Sequence, residues 1–216
     1  MSSNQKRTGW RIEWPEINGT PIRVLPQRLS RIRTVLSRRQ PDLIVCMEDV
    51  RNEHNVNAIL RTCDATGVLY VHYVSQRPLK LTRGVARGAE QWVELLRHPT
   101  IKKALQDLRN RRCQILATAL SDDAVDYRRV DYTRPSAIIL GNEAVGVSDA
   151  VRTEADTLIR IPMYGMVRSL NVSVAAAIIL YEAVRQREAA GFYNRIRLSP
   201  DEFHRFLRRW ALKEVG

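Results

Sequence analysis

The apolar positions of this chain fall into short runs separated by stretches of helical spacing. Leu43 to Met47, Val68 to Val74, Trp92 to Leu96, Cys113 to Thr118, Ser136 to Leu140 and Thr157 to Ile161 are rich in β-branched or other apolar residues and read as strands. Gln27 to Arg39, Asn55 to Thr66, Thr100 to Arg112, Leu170 to Arg187 and Pro200 to Leu212 read as helices. Within the third of these, Ile101, Ala104, Leu105 and Leu108 share one face. Pro41 stops the first helix and Gly67 the second. Residues 1–26, with Pro15, Gly19, Pro21 and Pro26, predict an irregular arm, and Gln76 to Glu90 a basic loop with a short helix. Nearly continuous apolar strands alternating with helices predict an α/β fold, a mainly parallel sheet with helices on both faces.

Length and charge refine this picture. At 216 residues the chain suits one compact domain with short extensions. The expected division is a basic arm and helix over 1–40, a catalytic body over 41–192 and a basic helical extension over 193–216. Residues 1–39 hold nine basic and two acidic residues, and 195–216 hold six and three, whereas the middle is close to neutral. Two cationic ends on a neutral body point to polyanion contacts, since phosphate backbones reward such charge by counterion release. Solubility alone is the plainer account of Arg-rich ends. Arg31, Arg33, Arg38 and Arg39, close together on one predicted helix, favour RNA. No run approaches a membrane span and the first residues lack an apolar secretory core, so a cytoplasmic protein fits. Cys46, Cys63 and Cys113 have no metal-type spacing, and His54, His72, His98 and His204 form no triad with a nucleophile. All four histidines are assigned to structure, and no metal is expected.

Several nucleotide chemistries are excluded. No two glycines lie two positions apart, which removes the dinucleotide fingerprint and the glycine loop of an ordinary Rossmann-type methyltransferase. Gly141 and Gly146 have the outer spacing of a P-loop, but Val147-Ser148 stands where Lys-Ser/Thr is required.

Three segments carry the positive signal. In His54-Asn-Val-Asn-Ala-Ile-Leu-Arg61, Asn57 and Arg61 are four apart on one helix face, and Asn55 sits at the expected helix start, where it would cap. In the second, the strand ending at Leu140 runs into Gly141-Asn-Glu143-Ala-Val-Gly146, a glycine-marked sheet edge with a carboxylate beside it. The third runs from Ile161 through Pro162, Gly165 and Arg168 to a helix opening with Ser169, Leu170 and Asn171. Singly, these segments also read as a capped helix, an ordinary turn and a core helix capped by Ser169.

Together, in order and spacing, they resemble the three motifs of the SPOUT superfamily, the α/β-knot RNA methyltransferases, and in particular the TrmH-type tRNA (guanosine-2′-O-)methyltransferases. The likeness runs from about Arg38 to about Tyr193. It implies a SPOUT-type α/β fold with a C-terminal deep trefoil knot, a homodimer, and S-adenosylmethionine held by Thr118, Gly141, Ile161 and Leu170. It implies Asn55, Arg61, Glu143, Ser169 and Asn171 as the functional polar set, and methyl transfer to a tRNA ribose 2′-hydroxyl, the D-loop guanosine at position 18 first among candidates. Arg168, with the four arginines of the first helix, would contact RNA. The resemblance nominates Arg61 as the activating base; a guanidinium keeps its proton, so an electrostatic role toward the developing alkoxide is physically easier. Methylation of rRNA or another tRNA ribose, and a non-catalytic RNA-binding protein of the same fold, are the competing readings.

Overall fold

The computed structural model describes residues 24–79 and 88–212, together with the backbone of 16–17 and 20–21. Contacts divide the chain into two compact units, one from residues 1–36 with 199–216 and the other from residues 37–198.

The larger unit holds seven parallel strands. They are β3 (Leu43–Glu48), β4 (Tyr70–Val74), β5 (Glu94–His98), β6 (Gln114–Thr118), β7 (Val125–Asp126), β8 (Ser136–Leu140) and β9 (Thr157–Arg160); β1 (Glu16–Ile17) and β2 (Thr20–Pro21) belong to the other unit. The order across the sheet is β5-β4-β3-β8-β6-β9-β7. Every residue of β3 and β8 is buried, so the middle of the sheet is covered on both faces. Val45 lies opposite Val71 on one side and Ile138 on the other, which fixes the register of the three central strands.

The crossovers are α2 (Glu53–Ala65), α3 (Ile101–Asn110) and α4 (Asp149–Glu154), followed by α5 (Val172–Ala189). Helix α2 packs against α5, burying Val56, Ile59, Leu60 and Cys63 with Ala176, Ile179, Leu180 and Ala183. The alanines of α5 are what permit this approach. Helix α3 packs on β4, β5, β6 and α4 through Ala104, Leu105 and Leu108, the face expected from its spacing. The chain lays β3, β4 and β5 to one side and then returns to place β6 on the other, leaving β8 to enter between β3 and β6. That reversal puts a crevice at the carboxyl ends of the central strands, where α/β sheets bind ligands.

At the opposite edge, Arg187 of α5 is fully buried. Its guanidinium donates to Asp42 Oδ1 at 2.7 Å, Gln40 Oε1 at 3.1 Å and the carbonyls of Tyr132, Asp42 and Arg134. Asp42 also accepts from Arg197 at 2.6 Å. One arginine thus ties the end of α5 to the two segments that lead into β3 and β8.

The smaller unit contains α1 (Pro26–Ser37) up to Leu36, and α6 (Pro200–Ala211). Leu29, Ile32 and Leu36 form the buried stripe of α1, and Phe206, Leu207 and Trp210 that of α6. Ser199 and Glu202 close a capping box at the start of α6. Strands β1 and β2 pair antiparallel within the arm expected to be irregular. Trp10 and Trp14 of the basic N-terminal arm lie outside the described residues. So do residues 80–87 of the predicted basic loop, which is followed by a 3₁₀ turn at Ala89–Gln91.

Several element boundaries differ from expectation for local reasons. Helix α2 begins earlier because Asn52, not Asn55, is its cap, accepting from the N–H groups of His54 and Asn55 at 2.9 and 3.3 Å. Helix α5 is capped by Asn171 rather than Ser169, through a 2.9 Å bond to Ser173 N. Strand β5 starts two residues after Trp92, because a 3₁₀ turn occupies the preceding segment. Helix α4 and strand β7 are too short to show a period.

Candidate active site

The crevice at the sheet edge is a cleft of about 440 Å³, within the size range of small-molecule sites. Its floor is the ends of three neighbouring strands: Thr118 and Ala119 at the end of β6, Leu140 and Gly141 at the end of β8, Ile159 to Ile161 at the end of β9. Its rim is Glu143, Arg168, Ser169, Leu170 and Asn171. All four residues expected to hold the methyl donor are therefore together.

Gly141 is required for a reason other than ligand approach. A Cβ there would stand 2.2 Å from Gly146 C and 2.3 Å from Val147 N. The glycine admits the chain's own return, in which Asn142 N donates to Gly146 O at 3.0 Å and Gly146 N to Asn142 O at 2.9 Å. Gly146 takes φ +73°, in the left-handed region that favours glycine. The Asn142 amide closes the turn further, accepting from Ala144 N at 2.9 Å and donating to the Asp49 carbonyl at 2.9 Å. Below it, the buried Glu48 carboxylate accepts from Ser148 N and Oγ at 2.8 and 2.7 Å. We expect Gly141→Ala to push this turn out of place and to weaken S-adenosylmethionine binding by at least about tenfold in calorimetric titration. An unchanged affinity would mean that the turn does not shape the cleft.

The three motif segments meet in one hydrogen-bonded chain. Asn55 Nδ2 donates to Glu143 Oε1 at 2.9 Å, and Asn171 Nδ2 donates to Asn55 Oδ1 at 3.0 Å. Asn55, buried near the start of α2, thus joins partners 88 and 116 residues away along the chain. Asn171 does two jobs, since its Oδ1 also accepts from Ser173 N and Oγ. Partial desolvation would raise the Glu143 carboxyl, but the bond from Asn55 and the backbone N–H groups of Glu143, Asn52 and Arg51 outweigh it. The carboxyl is held below the usual range and stays ionised.

The remaining expected residues divide. Ser169 and Arg168 are exposed on the rim. Arg61 is exposed and does not line its own cleft: six residues beyond Asn55, it lies about 120° around α2. Asn57, four residues before it, is buried, and its amide has no partner among the described residues. The two therefore do not form a shared polar surface. Arg31, Arg33 and Arg38 are exposed, as phosphate contacts need to be. Arg39 is not. It is fully buried, ion-paired with Asp64 through Nη2, and its Nη1 donates to the carbonyls of Asp64 and Val68 at 3.0 and 3.2 Å. Helix α1 ends at Ser37, so the chain turns Arg39 inward and removes it from any RNA surface.

Sequence reasoning missed Glu48, Asn52, Asp49 and Asn142. Only Asn142, inside a glycine-flanked turn, carried a local signal.

The cleft fits S-adenosylmethionine on its own features. It combines an apolar lining from Leu120, Leu140, Leu170 and Val172 with a segment, Pro162 to Leu170, that makes no backbone–backbone hydrogen bond among the described residues. Those N–H and C=O groups are open to a ligand that pairs with them.

The SpoU rRNA Methylase family model matches residues 42–181, and a SpoU rRNA methylase C-terminal model matches residues 185–214. The chain belongs to the SpoU methylase family. It is 48% identical over 194 residues to the tRNA (guanosine(18)-2′-O)-methyltransferase of Aquifex aeolicus, covering 89% of this chain and 92% of that one. The enzymes of the same name from Thermus thermophilus and Escherichia coli K12 are 50% and 52% identical, covering 86% and 79% of this chain and 96% and 75% of theirs. The crystal structure of the A. aeolicus TrmH/SpoU tRNA modifying enzyme superposes with a TM-score of 0.82 at 49% identity, covering 86% of this chain and 95% of that one. The SpoU methyltransferase AviRb of Streptomyces viridochromogenes, solved with AdoMet, gives a TM-score of 0.63 at 29% identity over 69% of this chain and 62% of that one. The strand-end cleft and the Asn55–Glu143–Asn171 chain thus sit on the fold of a methyltransferase family. No helix among the described residues is long and apolar enough to cross a membrane.

Proposed function

We propose that the chain transfers a methyl group from S-adenosylmethionine to the ribose 2′-hydroxyl of guanosine 18 in tRNA, as its relatives of about 50% identity do. The observation that carries this reading is the cleft whose rim unites all three motifs through Asn55. S-adenosylmethionine supplies a methyl already activated on a sulfonium. Thr118, Gly141, Ile161 and Leu170 hold the donor, and the 162–170 segment offers it backbone partners. Aligning hydroxyl oxygen, methyl and sulfur in line removes a large entropic barrier. Asn55 fixes Glu143 and Asn171, so that Ser169 and Asn171 present a formed rim to the ribose. Arg61 stabilises the charge developing on the 2′-oxygen as its proton passes to water, while the bond from oxygen to methyl forms and the bond from methyl to sulfur breaks.

The reading includes a homodimer with the knotted C-terminal region of the superfamily. Tyr164, Met166 and Val167 beside the cleft, and Val174 and Tyr181 on α5, are large apolar side chains left exposed in the single chain. We assign Arg61 to act across this dimer, because it does not line the cleft of its own chain. Arg31, Arg33, Arg38 and Arg168 supply phosphate contacts.

Incubation with S-adenosylmethionine and either total tRNA or rRNA, followed by ribose-methylation mapping, is expected to mark guanosine 18 of tRNA alone. Methylation confined to rRNA would replace this substrate, and no methylation with intact donor binding would favour an RNA-binding protein.

A further inference from the structure

His72 on β4 and His98 on β5 stand on one face of neighbouring strands, since His98 pairs with Val74, two residues beyond His72. Helix α3 crosses that face and brings Asp107 to them. His72 Nδ1 and His98 Nε2 are 3.0 Å apart, and Asp107 Oδ2 lies 3.6 Å from the first and 4.0 Å from the second. A hydrogen bond between the imidazoles accounts for the first distance alone. The carboxylate oxygen faces the same two nitrogens beyond hydrogen-bonding range of either. A point equidistant from the three atoms lies about 2.1 Å from each, the length of a zinc–nitrogen or zinc–carboxylate bond.

We propose that His72, His98 and Asp107 bind one divalent transition-metal ion of the zinc class, tying β4, β5 and α3 together. Two imidazoles and a carboxylate are a ligand set of the borderline kind that such ions select. His72 is fully buried, whereas His98 is 13% and Asp107 35% exposed, so an ion can enter from that side and keep a water as fourth ligand. Two features limit the strength of the site. Arg111 Nε also holds Asp107 Oδ2, at 3.3 Å, and His72 Nε2 has no partner among the described residues, so the outer bond that stiffens tight zinc sites is missing. The ion belongs to the framework of the sheet: none of the three ligands lines the cleft.

The test uses the full chain stripped with chelator and titrated with Co2+ followed by absorbance, with Zn2+ as competitor. One Co2+ per chain is expected, displaced by Zn2+, with a higher melting temperature in the presence of Zn2+. His98→Ala and Asp107→Asn, both at partly exposed positions, should each weaken Co2+ binding by at least about tenfold and remove the Zn2+-dependent rise in melting temperature. Their melting temperatures in chelator, compared with the parent, show that the fold is retained. Equal Co2+ binding by parent and both variants would overturn the site, as would no Co2+ binding by the parent at metal well above protein concentration. In either case the imidazoles share only a proton.

Discussion

Arg61→Ala is expected to lower the single-turnover rate of methyl transfer by about 10²- to 10³-fold, the scale on which removal of one donor to a developing oxyanion acts. The affinity for S-adenosylmethionine should stay within about twofold, because the donor is held by Thr118, Gly141, Ile161 and Leu170 and not by Arg61. A guanidinium does not release its proton at neutral pH, so the loss reflects charge placed at the oxygen rather than a missing base. Arg61→Lys, which keeps the charge without the fork, should recover part of the rate. A mixture of Arg61→Ala and Asn171→Ala chains separates the two possible geometries. If the arginine acts across a dimer, mixed dimers contain one complete site and activity returns. If it acts within its own chain, mixing inactive variants restores nothing, and the dimer arrangement proposed above is wrong. A single-turnover rate equal to the parent's would remove Arg61 from the mechanism altogether.

The contrast between Arg61 and Asn55 shows which parts of this site could be read along the chain. Both belong to one motif, but the bond from Asn55 to Glu143 spans 88 residues, and nothing near Asn55 signals it. Local reasoning assigned Asn55 the commonest local duty of an asparagine before a helix, capping, and Asn52 holds that duty instead. For Asn171 the local account failed in the other direction: it is the cap that Ser169 was expected to be, and it reaches Asn55 as well. Strands β3, β6 and β8 were legible because a parallel sheet buried on both faces leaves continuous apolar runs. The order of those strands is set by long-range pairing and leaves no periodic trace. Gly141 was recognised as a place of close approach, while what approaches it, the backbone of Gly146 and Val147, is tertiary. The histidines illustrate the same point. His72 and His98 are 26 residues apart with no metal-type spacing, and the register of β4 and β5 makes them neighbours.

Arg39→Ala is expected to cost about 3–5 kcal/mol of stability, because it empties a fully buried site and leaves two carbonyls without their donor. At about 2–4 °C per kcal/mol for a chain of this size, the melting temperature should fall by roughly 6–20 °C. Asp64, one-third exposed, also loses its ion pair, and the carbonyls that lose their donor are those of Asp64 and Val68. These groups close the end of α2 onto the start of β4, so the damage falls on the sheet rather than on RNA contacts. Replacing both partners, Arg39→Met with Asp64→Leu, should recover part of the loss, because methionine refills the space and no charge is left to satisfy, while the two carbonyls still lack a donor. Arg38→Ala, one residue away and exposed, should change stability by less than about 0.5 kcal/mol while weakening tRNA binding and lowering its salt dependence. Thermal melting and tRNA titration at two salt concentrations distinguish these neighbours. An Arg39→Ala chain that melts like the parent but binds tRNA weakly would place this guanidinium on the RNA after all.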